Sequence, residues 1–152
     1  MDDRTFRTAM GKFATGVTVV TTKVNDTVHG MTANSFVSVS LNPKLVLISV
    51  GKQTSMHNYI KQSGSFAISV LNENQEEISA LFASQLKDER EIEFELFNEM
   101  EVISDAIVQI TCELYDMTEA GDHTLYIGEV TDLRIQDGEP LCFYGGKYRK
   151  VT

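Results

Sequence analysis

Much that would announce a chemistry is missing from this chain of 152 residues. No serine sits in a Gly-x-Ser-x-Gly elbow, which argues against a hydrolase of that design. The three histidines, His29, His57 and His123, are too scattered to make a metal-binding motif. Neither a Gly-x-Gly-x-x-Gly turn nor a Walker phosphate loop is present, so a conventional dinucleotide fold is not expected. Positive charge is scarce: 13 Lys and Arg against 22 Asp and Glu give a net charge of -9. That balance argues against nucleic acid or an anionic membrane as partner. No apolar run approaches the ~20 residues that span a bilayer, and no basic start precedes an apolar core as in a signal peptide. The two cysteines, Cys112 and Cys142, lack metal-type spacing and read as free, buried thiols, which makes a reducing, cytoplasmic setting the expectation.

What is there reads as a single domain over 1–152, 42% apolar and 23% charged, with mainly β patterning. A helix is predicted from Asp3 to about Phe13, with Phe6, Met10 and Phe13 on one face and Gly16 ending it. Residues 17–22 are β-branched throughout, and Asn25-Asp26 turns the chain into a return strand. Val37, Val39 and Leu41 alternate with Ser38 and Ser40, predicting one buried face and one hydroxyl face. Residues 45–50 read as a strand covered on both sides. A short helix capped by Thr54 or Ser55 is expected to stop at Ser63-Gly64. Another is expected behind Asn74, with Glu77 completing a capping box and Ile78, Leu81 and Phe82 as its apolar stripe.

From Lys87 to Met100 the density of charge predicts an exposed connector, in which Ile92, Phe94 and Leu96 alternate with glutamates. Ala106, Val108, Ile110, Cys112 and Leu114 share one strand face, opposite Gln109, Thr111 and Glu113. After a turn through residues 119–122 a second long strand begins at His123, with a bulge or close backbone approach expected at Gly128. Asp137-Gly138 predicts a hairpin and Gly145-Gly146 a further turn. Seven or eight strands with two or three short helices suggest a closed antiparallel barrel with helices at its ends.

The chemistry gathers between Gly30 and Ser55. Thr32, Asn34, Ser35, Ser49, Lys52, Thr54 and Ser55 place hydroxyls, an amide and an ammonium at strand ends. Such a set suits a phosphate-bearing planar ligand, and it equally suits a hairpin with Thr and Ser on its wet face. His29 and His57 are assigned no role.

Residues 13–21 (Phe-Ala-Thr-Gly-Val-Thr-Val-Val-Thr), 30–36 (Gly-Met-Thr-Ala-Asn-Ser-Phe) and 38–43 (Ser-Val-Ser-Leu-Asn-Pro) resemble the short flavin reductase family. So do Phe66-Ala67-Ile68, Phe82-Ala83, the run Asp122-His123 to Val130, Pro140-Leu141 and Gly146-Lys147-Tyr148. The resemblance implies a split β-barrel homodimer that binds FMN, or less often FAD, reduces it with NADH or NADPH, and often supplies a separate monooxygenase. It implies that Thr32, Ala33, Asn34 and Ser35 hold the flavin ring and ribityl chain, and that Ser49 and Val50 lie beside the isoalloxazine. Lys52, Thr54 and Ser55 would take the phosphate, where a helix N-terminus offers free N–H groups. Phe82 and Ala83 would border the flavin. His123 would lie over it and orient the nicotinamide, although an isolated loop histidine is equally a local hydrogen-bonding partner. Tyr148 would pack near the ring or only close the barrel.

The chain departs from the family pattern at Lys44, where many members have a second proline, and at Ser84 and Asp88-Glu89-Arg90-Glu91. Hydride transfer between stacked rings needs orientation rather than a nucleophile, which fits the missing triad. A tightly bound FMN electron carrier and a non-enzymatic ligand-binding barrel are the alternatives. Apolar faces such as residues 107–115 are expected to be hidden between subunits.

Overall fold

The structure, a computed structural model, describes residues 1–83 and 92–152. Helix α1 spans Asp3–Met10, with Asp2 accepting from the Thr5 amide at 2.7 Å as its cap. It stops earlier than expected. Gly11, not Gly16, ends it by bonding the Arg7 carbonyl, and Lys12 and Phe13 follow in tighter turns onto Ala9 and Met10. No residue of α1 is buried.

Gly16 lies instead in the short strand β1 (Thr15–Gly16). β2 (Thr18–Val24) and β3 (Thr27–Ala33) form a hairpin on Asn25 and Asp26, both at the positive φ that such a turn demands. The chain continues through β4 (Phe36–Leu41), β5 (Lys44–Gly51), α2 (Ser55–Ser63), β6 (Ser65–Val70) and α3 (Glu76–Phe82). After them come β7 (Phe94–Phe97), β8 (Met100–Ile103), β9 (Val108–Ala120), β10 (His123–Ile135), β11 (Leu141–Tyr144) and β12 (Lys147–Lys150). Twelve strands are described rather than seven or eight, because five short ones build two small satellite sheets.

The main sheet runs β3-β2-β6-β9-β10-β5-β4, antiparallel throughout. Its two edge strands, β3 and β4, are consecutive in the chain and joined only by Asn34 and Ser35. A sheet whose edges are so tethered must curl until they meet, and a barrel results. The edges are not hydrogen-bonded to each other, so the barrel is split rather than closed. Ser35 Oγ ties the seam to β5, donating to the Ser49 carbonyl at 3.0 Å and accepting from the Ser49 amide at 3.3 Å.

Inside the barrel lie Val20, Ile48, Val50, Phe66, Ile68, Cys112 and Tyr126, closed at one end by Met56 and Ile60 of α2. A second cluster, Val17, Val19, Leu71, Ile103 and Leu141, is overlaid by Ile78, Phe82, Phe94 and Tyr148. Gly128 carries both expected features. The β9–β10 register shifts there, and a Cβ would fall 2.6 Å from Phe66 and 2.8 Å from Cys112.

Other expectations fail for identifiable reasons. The Val37, Val39 and Leu41 face is exposed, at 53%, 46% and 79%, because β4 is an edge strand whose register slips between Ser38 and Ser40. Gln109 and Thr111 do face away from the barrel core, yet they are buried: the β7–β8 hairpin covers them and takes up their polar atoms. Residues 107–115 therefore offer little free apolar face, although Tyr115 remains exposed. Leu96 is exposed as well, so the alternation from Ile92 does not mark a buried face, and residues 84–91 of the expected connector lie outside those described. Thr54 does not cap α2 through its side chain, which donates instead to the Gly51 carbonyl at 2.8 Å. Nor does Asn74 cap α3. Gln75 occupies the cap position and Asn72 binds the Asn74 amide. Asp137-Gly138 is no hairpin, since β10 and β11 belong to different sheets. Gly145-Gly146 does turn β11 into β12. Cys112 is buried but Cys142 only half so.

Candidate active site

Two clefts share Thr32 and Ala83 and so form one groove. The larger, about 520 Å³, is lined by β3 from His29 to Thr32, by Gln53 to Met56 and Tyr59 of the α2 region, and by Phe82. The smaller, about 250 Å³, adds Asn34, Ser79, Phe143, Gly146 and Tyr148.

The junction of the two is held by a hydrogen-bonded chain. Thr32 Oγ1 donates to the Ser79 carbonyl at 2.6 Å, and the Ser79 hydroxyl lies 2.6 Å from the Tyr148 hydroxyl. Ser79 is fully buried, so it fixes Tyr148 from behind, and Phe143 abuts the same ring edge-on at 5.4 Å. Asn34 is exposed at the groove, and among the described residues its side chain has no hydrogen-bond partner.

At the other end α2 points its N-terminus into the groove. The His57 amide bonds the Thr54 carbonyl at 3.3 Å, while among the described residues the amides of Ser55 and Met56 have no backbone acceptor. No acidic side chain occupies that first turn. This is the local chemistry of an anion site, with Ser55 and Thr54 beside it.

The sequence-predicted residues therefore divide. Thr32, Asn34, Thr54, Ser55, Phe82, Ala83 and Tyr148 line the groove. Ala33 and Val50 do not present side chains to it, because both are packed in the barrel core. Ser35 and Ser49 bond each other across the seam. Lys52 is turned away to Glu119 at 3.3 Å, and its amide bonds the Asp122 carbonyl.

His123 pairs with Gly51 at the strand end and lines neither cleft. Its Nδ1 donates to Asp122 at 2.7 Å. That bond, with the charge attraction of the ring, holds the exposed Asp122 carboxyl below the usual carboxylate range. The pairing is thus retained above that range and is lost as pH falls through the lowered pKa.

His57 is structural: buried, bonded to Thr124 at 2.8 Å and set edge-on to Tyr126. His29, given no role from the sequence, does line the groove, with its ring stacked on Tyr59. Ser79 and Tyr59 were also missed. Each looked like one more residue of an ordinary helix, and only the fold brings them to β3. Gly30 carried a signal that could have been used, since a glycine inside a strand marks close approach. A Cβ there would lie 2.7 Å from the Phe82 ring. Among the described residues no three His, Cys, Asp or Glu side chains are gathered as metal donors.

The fold is a split β-barrel whose groove runs from Asn34 and Tyr148 to the N-terminus of α2. The sequence matches the flavin reductase like domain over residues 10–152. A NADH-dependent flavin reductase of a Rhodococcus species is 41% identical, covering 95% of this chain and 84% of the relative. Among solved structures, the flavin reductase PheA2 in its native state superposes with a TM-score of 0.98 at 53% identity, covering 100% and 99% of the two chains. The NADH:FAD oxidoreductase SgcE6 of Streptomyces globisporus, in complex with NAD and FAD fragments, gives 0.92 at 39%, covering 99% and 93%. More distant relatives include the reductase component of a 4-hydroxyphenylacetate 3-monooxygenase from Thermus thermophilus, 31% identical over 97% of this chain and 95% of that one. The chain belongs to the flavin reductase-like family.

Proposed function

We propose that this protein is a NADH-dependent flavin reductase, an oxidoreductase that passes a hydride from the nicotinamide to FMN or FAD and supplies the reduced flavin to a monooxygenase. The continuous groove carries the reading. It offers an exposed amide and a fixed phenol at one end, a helix N-terminus free of acidic side chains at the other, and, among the described residues, no nucleophile with an adjacent base. Bound flavin supplies the hydride-accepting ring. The chain's own residues do the rest. Asn34 and Tyr148 orient the ring end, Thr32 and Ser79 hold that end rigid, and the Ser55 and Met56 amides with the Ser55 hydroxyl bind the phosphate. His123 orients the nicotinamide from the β10 end. Ala33 and Val50 shape the site through backbone alone, Ser35 and Ser49 keep the seam closed behind it, and Lys52 adds long-range positive charge.

We place the enzyme in the cytoplasm as a homodimer. Free cysteines support the first, and no helix among the described residues is long and apolar enough to cross a membrane. The second is supported by exposed apolar side chains. Phe6, Met10 and Phe13 of the α1 region are 53%, 56% and 78% exposed, and Phe13 shares a hollow of about 420 Å³ with Phe36 and Val37 of β4. Titration with FMN and FAD, followed by mixing with NADH under anaerobic conditions, tests the function. Quenched flavin fluorescence and bleaching of the oxidised flavin's visible absorption band are expected. A protein that binds neither flavin overturns the reading.

A further inference from the structure

Three hydroxyls stand where the two clefts meet, and their hydrogen bonds fix which of them can donate to a ligand. Thr32 has one proton and spends it on the Ser79 carbonyl at 2.6 Å, so toward the groove its oxygen can only accept. That carbonyl also takes the Ala83 amide at 3.1 Å, which fills both of its lone pairs. The Ser79 hydroxyl lies 2.6 Å from the Tyr148 hydroxyl and has no other partner among the described residues. One of these two must donate to the other. Ser79 is fully buried, whereas Tyr148 is half-buried and lines the smaller cleft. Were Tyr148 the donor, the Ser79 proton would be left inside the protein with nothing to accept it. With Ser79 as donor, the proton left over belongs to Tyr148, which has the groove before it. A phenol O–H lies in the plane of its ring, so the lone pair taken by Ser79 turns the Tyr148 proton away from α3. Phe143, edge-on to the ring at 5.4 Å, holds that plane.

From this arrangement we infer that Ser79 is a positioning residue that makes Tyr148 a permanent hydrogen-bond donor to the ligand. Ser79 touches no ligand itself. A phenol without it could donate or accept, and a ligand of either polarity would fit. A locked donor discriminates: an acceptor atom is held at Tyr148, while an N–H or O–H presented there leaves two protons facing each other. Thr32 has the opposite polarity and takes only a donor. This role rests on the flavin reading above, in which the ring end of the ligand lies at Tyr148.

The direction of the bond can be read without any ligand by ultraviolet resonance Raman spectroscopy, in which paired ring bands of a tyrosine change relative intensity as its oxygen accepts or donates. The difference between wild type and Tyr148→Phe isolates this residue among the five tyrosines. In the flavin-free protein Tyr148 is expected to read as an acceptor, and to lose that signature in Ser79→Ala. Oxidised FMN should shift the wild-type signal toward a donor. Titrations with oxidised FMN, without turnover, give the effect on binding. Tyr148→Phe and Ser79→Ala should each weaken FMN several-fold, the scale of one hydrogen bond. Ser79→Ala added to Tyr148→Phe should weaken it little further. A Tyr148 that reads as a donor before FMN is added overturns the inference, and that result needs only the wild type and Tyr148→Phe, whether or not Ser79→Ala folds. Equal losses from Ser79→Ala with and without the phenol hydroxyl would overturn it as well, showing that the serine acts through packing. A wild type that binds no flavin while Tyr148 reads as an acceptor sinks the parent reading instead, so the two failures are distinguishable.

Discussion

At the scale of single residues, two glycines separate stability from ligand binding. Alanine at Gly128 would drive a methyl between Phe66 and Cys112, which are 0% and 1% exposed and cannot retreat. Gly128→Ala should cost about 1–3 kcal/mol by chemical denaturation. Gly30→Ala clashes with the half-buried Phe82 ring, which can swing into the groove, and makes only ordinary contact with Thr21, so it should chiefly weaken flavin binding. Cys112 sets a second expectation. Burial pushes its thiol up to about 12, so the unfolded chain gives up this proton near pH 9 while the folded one keeps it. Stability should then fall between about pH 9 and pH 12, by at most ~1.4 kcal/mol per pH unit from this group. Denaturant midpoints at pH 8 and 10.5, compared with those of Cys112→Ala, measure the contribution as a difference in slope. His123 and Ser55 are best varied as a pair. His123→Ala should raise the KM for NADH or slow flavin reduction several-fold, as expected for losing about 0.5–1.5 kcal/mol of one hydrogen bond. Ser55→Ala should instead loosen flavin, by roughly tenfold if its partner is an anionic phosphate. A His123→Ala variant that loses flavin but keeps its NADH kinetics would show the two substrates to be misplaced.

At the scale of elements, the β7–β8 hairpin is fastened to the barrel by a compact set of polar contacts. Arg134 on β10 pairs with Glu95 at 2.6 Å, bonds Gln109, and lies 4.5 Å over the Phe97 ring. Arg134→Ala removes all three and leaves Gln109 with an unmet acceptor. Amide exchange in β7 and β8 should accelerate well beyond that in β6, with a global loss of about 1–3 kcal/mol. This hairpin also explains the limits of sequence reading. The paired strands were legible wherever a local cause acted: β-branched residues in β2, positive-φ turn residues at Asn25-Asp26, and glycine at Gly128. Burial of Gln109 and Thr111 was not, because it depends on a hairpin that docks from elsewhere in the chain. The exposure of Val37, Val39 and Leu41 was hidden for the same reason, since alternation reveals two faces without saying which one the barrel keeps. In the groove, Thr32, Asn34 and Ser55 could be named because their hydroxyls and amide stand at strand ends and their segments resemble those of the flavin reductase family. Ser79, Tyr59 and His29 enter it only through the meeting of α3, α2 and β3.

At the scale of the whole molecule, the uncovered apolar surfaces predict association. Phe13 lines the hollow with Phe36 and Val37, Phe6 and Met10 are exposed on α1, and Val39 and Leu41 extend the same edge strand as Val37. Sedimentation equilibrium at micromolar concentration should give twice the 17.0 kDa chain mass. A Val39→Lys, Leu41→Glu double variant should shift it to the monomer. A wild-type monomer would leave these side chains without an occupant and remove the dimer.

At the two-residue link between β3 and β4 the edges of the barrel meet without hydrogen bonds between them. Thr32 stands on one bank of the seam and Asn34 within it, and both line the groove, so a ligand held by both cannot remain bound if the barrel springs open there. Occupancy and local closure are then coupled equilibria. At tenfold excess over its dissociation constant, a ligand adds about 1.4 kcal/mol against such opening. A reductase that hands its reduced flavin to another protein would therefore loosen along this line at each release, and regain its stiffness with the next oxidised molecule.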